Sequence, residues 1–186
     1  ALQSELDLLW ACGYDPEGRQ QLGGYVTGTQ KWIGTSEACV LLRGQSVRCN
    51  IVAFRQGSAG DGSTAAAAAM EQAFRHFSGQ SSKERWGLGV GQVTRVSRPP
   101  LYLQHSGHSR TVVGVQRRFD KSGQVDFLLV LDPGLGDRGF GDFLSASRRG
   151  TGWQKFVKRS IAPLQRKSEY EFLVIEEGAI TRDQAA

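Results

Sequence analysis

The chain has 186 residues, of which 39% are hydrophobic and 22% are charged, as is typical of an ordinary globular domain. This length predicts a single domain over residues 1–186, with a core large enough to need no disulfide or structural metal. The formal net charge of +5 favours an acidic partner weakly and does not identify a nucleic-acid binder. No apolar run approaches the roughly 20 residues of a membrane span, so no membrane partner is predicted.

The first half of the chain predicts mainly helices. Leu2, Leu6 and Leu9 recur at helical spacing, and the Gly- and Pro-containing stretch that follows predicts turns over residues 13–18. Between residues 47 and 54, Val47, Cys49, Ile51 and Ala53 occupy every second position, and this period of two predicts a strand. The predicted elements are a helix over 37–42, the strand over 47–54 and an Ala-rich helix over 65–77, with Gly/Ser-rich loops over 56–64 and 78–92.

The second half predicts mainly strands. Three of them cover residues 101–104, 111–115 and 127–131, and a turn near 120–123 joins the last two as a hairpin. A basic helix over 140–161 and a final strand over 170–175 complete the chain. Helices early and strands late predict an α+β fold, in which an antiparallel sheet packs against helices.

The three cysteines are an odd number and contain no Cys-x-x-Cys pair. Free thiols are therefore favoured over a disulfide framework or a zinc site, and neither a metal nor another cofactor is predicted. Cys39 is the best nucleophile candidate of the three because it lies near the start of a predicted helix. A small buried thiol is nevertheless the simpler interpretation.

The hairpin is the most informative candidate site. If its turn is centred near residue 121, the numbers of cross-strand partners sum to about 242, which places Asp132 opposite residue 110 and near His108. A carboxylate beside an imidazole fixes its tautomer and raises its basicity. From spacing alone, a surface histidine beside an ordinary Asp-Pro-Gly turn is the simpler interpretation.

Other polar candidates have structural explanations. His105 is predicted to lie at a strand end facing solvent, and His76 on the polar face of the Ala-rich helix. Glu37 lies in the first turn of its helix, where a carboxylate stabilises by roughly 0.3–1 kcal/mol through the helix dipole. That role would account for Glu37 fully.

Residues 28–37, 99–114 and 129–134 together resemble one family. It is the papain-like cysteine peptidase domain shared by proteases of the ubiquitin-fold modifier and ubiquitin peptidases that carry zinc fingers. The similarity runs from residue 1 to about 180 and implies the papain-like fold. The modifier proteases take their catalytic histidine from an Asp-Pro-His motif, where this chain has Gly134. The zinc-finger branch takes it from a Gly-His-Ser segment, which His108 matches, and its aspartate matches Asp132.

The resemblance therefore implies a deubiquitinase that cleaves peptide or isopeptide bonds after the C-terminal glycine of ubiquitin. His108 would be the general base and acid, and Asp132 its orienting carboxylate. The implied partner is ubiquitin or polyubiquitin, in the cytoplasm and nucleus. The Arg-Leu-Arg-Gly-Gly tail of ubiquitin requires a narrow groove with carboxylates, for which Trp32 is the predicted wall, and Asp15 and Glu37 the predicted partners of the two arginines.

The nucleophile departs from the family pattern. In the family it lies in a Gly-Cys-Gly-Tyr-Arg-like segment upstream of the matched motifs, and Cys12-Gly13-Tyr14 echoes that segment only superficially. The chain also lacks an initiator Met. We therefore predict that it is the C-terminal two-thirds of the peptidase domain, an incomplete papain-like fold that is inactive by itself.

Three alternatives remain open from the sequence. One is a catalytically dead module that binds ubiquitin or a related modifier, and another is a protease specific for the ubiquitin-fold modifier. The third is weak nucleic-acid contact through a basic patch, for which a solvated helix face is the simpler interpretation. The patch consists of Arg148, Arg149, Lys155, Lys158 and Arg159.

Overall fold

The computed structural model describes residues 2–56, 64–78, 93–121, 123–160 and 167–180. Within these ranges the strands form a six-stranded sheet in the order β1-β6-β2-β3-β4-β5, and every neighbouring pair is antiparallel. This confirms the predicted α+β class with an antiparallel sheet packed against helices. The strands are β1 (Val47–Arg55), β2 (Leu101–His105), β3 (His108–Asp120), β4 (Gly123–Leu131), β5 (Lys158–Ser160) and β6 (Glu169–Ala179).

Helices cover both faces of the sheet. They are α1 (Leu2–Ala11), α2 (Pro16–Gln21), α3 (Thr35–Gly44), α4 (Ala65–Ser78), α5 (Gly136–Arg148) and α6 (Gln154–Val157), with a 3₁₀ turn over Pro133–Leu135. No helix in these described ranges combines the length and the apolar character that crossing a membrane requires.

The main core lies between α4 and one face of the sheet, here called the α4 face. The buried alanines of α4 pack with Leu101, Leu103 and Val112 of that face, and Phe172 is completely buried among them. The opposite face, here called the α3 face, is covered at β1 and β6 by α3. There Cys39 packs on Cys49 and Leu173. Strand alternation therefore sends successive side chains of β2 and β3 into different layers.

The hairpin of β3 and β4 has the predicted register. Thr111 pairs with Leu131 and Val112 with Val130, and both pairs sum to the expected 242. A bulge between Val112 and Gly114 shifts the remaining pairs by one residue up to the turn, where Asp120 pairs with Gly123. The end of the hairpin that carries Arg110 and Asp132 thus keeps the geometry that the sequence predicts.

Two predicted elements need correction. The segment predicted as turns over 13–18 contains the start of α2, because the Asp15 carboxylate accepts the Gly18 N–H at 3.0 Å and Pro16 suits the first helical position. The single basic helix over 140–161 is wrong in extent. It ends at Arg148, and Gly150 and Gly152 then adopt φ angles of 73° and 75°, which break a right-handed helix.

That break also separates the predicted basic patch. Its five members lie at the end of α5, in the following turn, in α6 and in β5, so they do not share one helix face. Residue 161 and most of the predicted loops over 56–64 and 78–92 lie outside the described residues.

Candidate active site

A tight turn between β2 and β3 brings two histidines together. Ser106 and Gly107 both have positive φ angles, 43° and 77°, and the turn makes His105 and His108 direct cross-strand partners. Such partners point to the same face of a sheet. The two rings are 5.7 Å apart between centroids, and His108 is exposed.

His105 is buried, which corrects the prediction that it faces solvent. It is only 8% exposed because it follows Leu101 and Leu103 on the α4 face, and its ring packs 5.4 Å from that of Tyr170. Alternation along β2 could have revealed this, since the residues two and four positions earlier are core leucines. The sheet therefore presents two imidazoles, one covered and one accessible.

Asp132 lies one residue beyond β4, on the α4 face of the sheet that also carries His105 and His108. Its carboxylate accepts a hydrogen bond from Arg110 Nε at 2.6 Å and another from the Gly134 N–H at 3.0 Å, and Arg159 Nη2 is 4.0 Å away. Among the described residues, no hydrogen bond or ion pair joins Asp132 to His108. The structure thus brings the two predicted residues to one face and places Arg110 on the carboxylate.

These contacts set the protonation of Asp132. Burial raises the pKa of its carboxyl group, but the hydrogen bonds from Arg110 and Gly134 and the charges of Arg110 and Arg159 outweigh it. The net pKa therefore lies below its usual value, and Asp132 is a carboxylate at neutral pH.

The guanidinium of Arg110 also contacts His105, through its Nη1 and the Nε2 of the imidazole ring. Burial, and then the charges of Arg110 and His108, lower the pKa of His105 from 6.5 to about 4. Within the described part of the chain, Nδ1 of His105 is buried without a hydrogen-bond partner. Sequence reasoning missed the roles of Arg110 and His105, although the predicted register already placed residue 110 opposite Asp132.

Trp32 lies against the turn that precedes His108. A Cβ built on Gly107 would lie 3.4 Å from the Trp32 ring, so the indole packs on the glycine backbone while remaining 77% exposed. The structure therefore brings the predicted wall of the substrate groove next to the predicted general base.

The two predicted carboxylate partners of the substrate both cap helices. Glu37 is 8% exposed, and its Oε2 accepts the Gly34 N–H at 2.6 Å, which caps the first turn of α3 from the side chain of its third residue. Asp15 caps α2. Their capping explains the local backbone, and contact with a substrate stays a prediction for both.

The α3 face carries a polar cluster beside the loop that leads from Trp32 to α3. Tyr102 OH donates to Ser109 Oγ at 2.7 Å, and Ser109 donates to Gln104 Oε1 at 2.5 Å. A Cβ built on Gly34 would lie 3.8 Å from Gln104 Nε2. The cluster thus joins β2 to β3 and lies close to Gly34, two residues after Trp32.

A cleft of about 460 Å³ adjoins the base of the hairpin. Its lining combines Tyr102, Ser109 and Asp132 with the aromatic residues Phe140, Phe143 and Phe156. It therefore combines an aromatic wall with one end of the candidate site.

None of the three cysteines has the environment of an activated nucleophile. Cys12 is exposed and follows the last residue of α1, the helix end that does not stabilise a thiolate. Cys39 and Cys49 are buried with their sulfurs 3.5 Å apart, and burial, followed by the contact with Cys49, raises the pKa of Cys39 to about 12. The described residues also contain no group of three or more His, Cys, Asp or Glu arranged to hold a metal.

The separated basic residues make local contacts. Lys155 lies 4.9 Å from the centre of the Phe156 ring, Lys158 lies 4.3 Å from that of Phe127, and Arg159 donates to the carbonyls of Lys155 and Lys158. Contact with nucleic acid through them stays a prediction.

Comparison with known proteins agrees with the motifs. The profile of peptidase family C78 matches residues 1–173. Human zinc finger-containing ubiquitin peptidase 1 is 33% identical over 183 residues, which are 98% of this chain and 29% of the human protein. Ubiquitin carboxyl-terminal hydrolase mug105 of Schizosaccharomyces pombe is 34% identical over 133 residues, or 72% of this chain and 45% of the yeast protein. The chain thus spans less than half the length of either relative.

A solved structure, that of UfSP from C. elegans, overlaps 82% of this chain and 24% of its own at 19% identity, with a TM-score of 0.49. The family profile covers nearly the whole sequence, including all three motif segments that carry the predicted resemblance. The chain therefore belongs to peptidase family C78, a family of cysteine peptidases.

Proposed function

We propose that the protein carrying this chain is a deubiquitinase that hydrolyses the peptide or isopeptide bond after the C-terminal glycine of ubiquitin. The observation that carries the proposal is the placement of His108 and Asp132 on one sheet face, with Trp32 packed against the turn before His108. Two relatives whose names describe a ubiquitin peptidase and a ubiquitin hydrolase support the choice of substrate. The proposed locations are the cytoplasm and nucleus.

In this mechanism His108 takes the proton of a cysteine thiol, and the thiolate attacks the carbonyl carbon of the terminal glycine. The C–N bond then breaks while His108 gives the proton to the leaving amine. Water, deprotonated by His108, hydrolyses the resulting thioester and releases ubiquitin. Asp132, ionised at neutral pH, stabilises the imidazolium that forms in each step.

The nucleophile in this proposal lies in a segment outside the 186 residues. The burial of Cys39 and Cys49, and the position of Cys12 after the C-terminal end of α1, support that assignment. The 186-residue chain by itself would then be inactive, because His108 has no thiol to deprotonate.

Ubiquitin is preferred to the ubiquitin-fold modifier in this proposal because of the turn after Asp132. Gly134 stands where the modifier proteases have their catalytic histidine, and a Cβ on it would lie 3.1 Å from Asp132 Oδ1. A side chain at position 134 would therefore require the Asp132 carboxylate to shift by a few tenths of an ångström. Trp32 would wall the groove for the two terminal glycines, with Asp15 and Glu37 toward the arginines.

A ubiquitin-binding module without catalysis is the second candidate. The observation that favours it is the engagement of Asp132 by Arg110 at 2.6 Å, with no bond from Asp132 to His108 among the described residues. Such a module would bind ubiquitin and leave conjugates intact.

An electrophilic ubiquitin C-terminal probe separates the two candidates. We expect the full-length protein to be labelled at a cysteine outside this chain, the 186-residue chain to remain unlabelled, and His108→Ala to lower turnover about 10³-fold. Labelling of Cys12 or Cys39 would show that the nucleophile is misplaced. Tight ubiquitin binding by the full-length protein without labelling or turnover would favour the binding module, and preferential reaction with a ubiquitin-fold-modifier probe would reverse the choice of substrate.

A further inference from the structure

Arg110 stands at the centre of the candidate site. Its Nε donates to Asp132 Oδ2 at 2.6 Å, and its Nη1 contacts Nε2 of His105. A guanidinium group has donors and no acceptor, so its contact with His105 Nε2 requires a lone pair on that nitrogen. His105 is therefore neutral in this arrangement, with its proton on Nδ1.

The arrangement distinguishes two otherwise similar imidazoles. His105 and His108 are direct cross-strand partners on the α4 face, and their rings are 5.7 Å apart. Both lie on the strand pair that faces Asp132, and a carboxylate can accept from either. In the structure, the guanidinium of Arg110 lies between His105 and that carboxylate.

We propose that Arg110 is a positioning residue for this site: it holds the Asp132 carboxylate on the α4 face and covers Nε2 of His105, which leaves His108 as the working base. This role rests on the proposed function, because it has meaning only where His108 and Asp132 act together. Arg110 itself contacts neither the scissile bond nor the nucleophile.

The loss of Arg110 would uncover a competitor. His105 Nε2 could then take a proton, and the resulting imidazolium could bind Asp132 in place of His108. The charged and titratable groups that face His105 and Asp132 from the surrounding elements are His108 and Arg110 on β3, Arg159 on β5, Lys167 before β6 and Tyr170 in β6. Arg110 contacts both His105 and Asp132, so it is the residue to change.

The test measures kcat, KM and the pH profile of kcat/KM for the full-length protein with a fluorogenic ubiquitin substrate. We expect Arg110→Ala to lower kcat about tenfold or more with KM unchanged, because no substrate contact is lost. In the pH profile of kcat/KM for Arg110→Ala, the dependence on the acid side should steepen from one proton to two, since His105 then titrates as well. Arg110→Lys should recover part of kcat, because lysine keeps the charge and one donor but loses the fork.

The double variant Arg110→Ala/His105→Gln is the decisive arm. Glutamine cannot be protonated in this pH range, so the acid limb should return to a single proton and part of kcat should be regained. A double variant with the same profile as Arg110→Ala, or an Arg110→Ala variant with a one-proton limb, would overturn the proposal and leave Arg110 as a merely structural residue.

Arg117→Ala is the matched control. Arg117 lies on the same strand and forms a comparably covered ion pair with Asp126, but it lies toward the hairpin tip. It should leave kcat and the pH profile as in the parent protein, and a change in the profile there would overturn the assignment to Arg110. Full activity of His108→Ala would instead overturn the proposed function, whereas an inactive His108→Ala beside an Arg110→Ala that matches Arg117→Ala would overturn only this inference.

Discussion

The two ends of the β3–β4 hairpin carry the same kind of ion pair in different arrangements. Toward the tip, Arg117 binds Asp126 with two hydrogen bonds, at 2.9 and 3.0 Å, and its guanidinium lies 4.1 Å from the centre of the Phe74 ring. At the base, Arg110 gives one hydrogen bond to Asp132 and directs its other side to His105.

The difference shows how the Arg117–Asp126 pair can serve stability alone, whereas the Arg110–Asp132 pair can also bind another group. Both oxygens of Asp126 are held by Arg117, and Gln124 Nε2 adds a third bond at 2.8 Å, so the tip pair joins β3 to β4. The contact of Arg117 with the Phe74 ring then connects this pair to α4. Asp132 is bound by a single side-chain donor and one backbone N–H, which leaves acceptor capacity beside the exposed His108. We therefore expect a catalytic role at Asp132, whose oxygens can accept a further hydrogen bond, rather than at Asp126.

The largest expected effect is a difference in kcat between variants of the two carboxylates, Asp132 and Asp126. Asp132→Asn keeps the size of the side chain but cannot stabilise an imidazolium, so kcat for ubiquitin cleavage should fall about 100-fold or more. Asp126→Asn should leave kcat unchanged. Steady-state kinetics of the full-length variants measure both, and equal losses in the two variants would show that the base of the hairpin has no special role.

The next effect concerns the loop that faces the base of the hairpin. Glu37→Gln can still accept the Gly34 N–H and preserve this cap of α3, but it removes the charge predicted to bind an arginine of ubiquitin. We expect KM to rise about tenfold, with the free energy of unfolding unchanged. Glu37→Ala should lose stability as well, by about 1 kcal/mol. An unchanged KM for Glu37→Gln would restrict Glu37 to capping.

At the tip, the expected effect is on folding. Arg117→Ala removes a bidentate ion pair and a cation–π contact that are largely covered, and should lower the free energy of unfolding by about 1–2 kcal/mol. Urea denaturation followed by tryptophan fluorescence measures the loss. If stability did not change, the tip pair would not be the fastening that the geometry indicates.

The last effect is a pH dependence of the stability at the base of the hairpin. The unfolded chain protonates His105 near its ordinary pKa of 6.5, whereas burial, Arg110 and His108 lower the folded pKa to about 4. Between these values the unfolded state binds more protons, so stability should fall as the pH falls through this window. His105→Gln should flatten that slope in urea denaturation. A slope that persists in His105→Gln would have to come from another group.

Much of the site geometry could be predicted from sequence because it depends on local periodicity. Alternation along β3 and β4, together with the turn residues, was enough to predict the register that places Asp132 opposite Arg110. The segments over 28–37, 99–114 and 129–134 together predicted membership of the family. The start of α2 could also have been found, since Asp15 followed by Pro16 is a capping pattern.

The remaining features depend on which side chains meet across the sheet. The sequence by itself determined the α+β class, the hairpin register and the pairing candidates, because period and turn chemistry act between residues close in the chain. Only the tertiary structure decided that His105 is buried, that Arg110 holds Asp132, and that Trp32 packs on Gly107. A register limits the possible neighbours of a carboxylate, but the competition among donors for its oxygens is decided by packing in three dimensions.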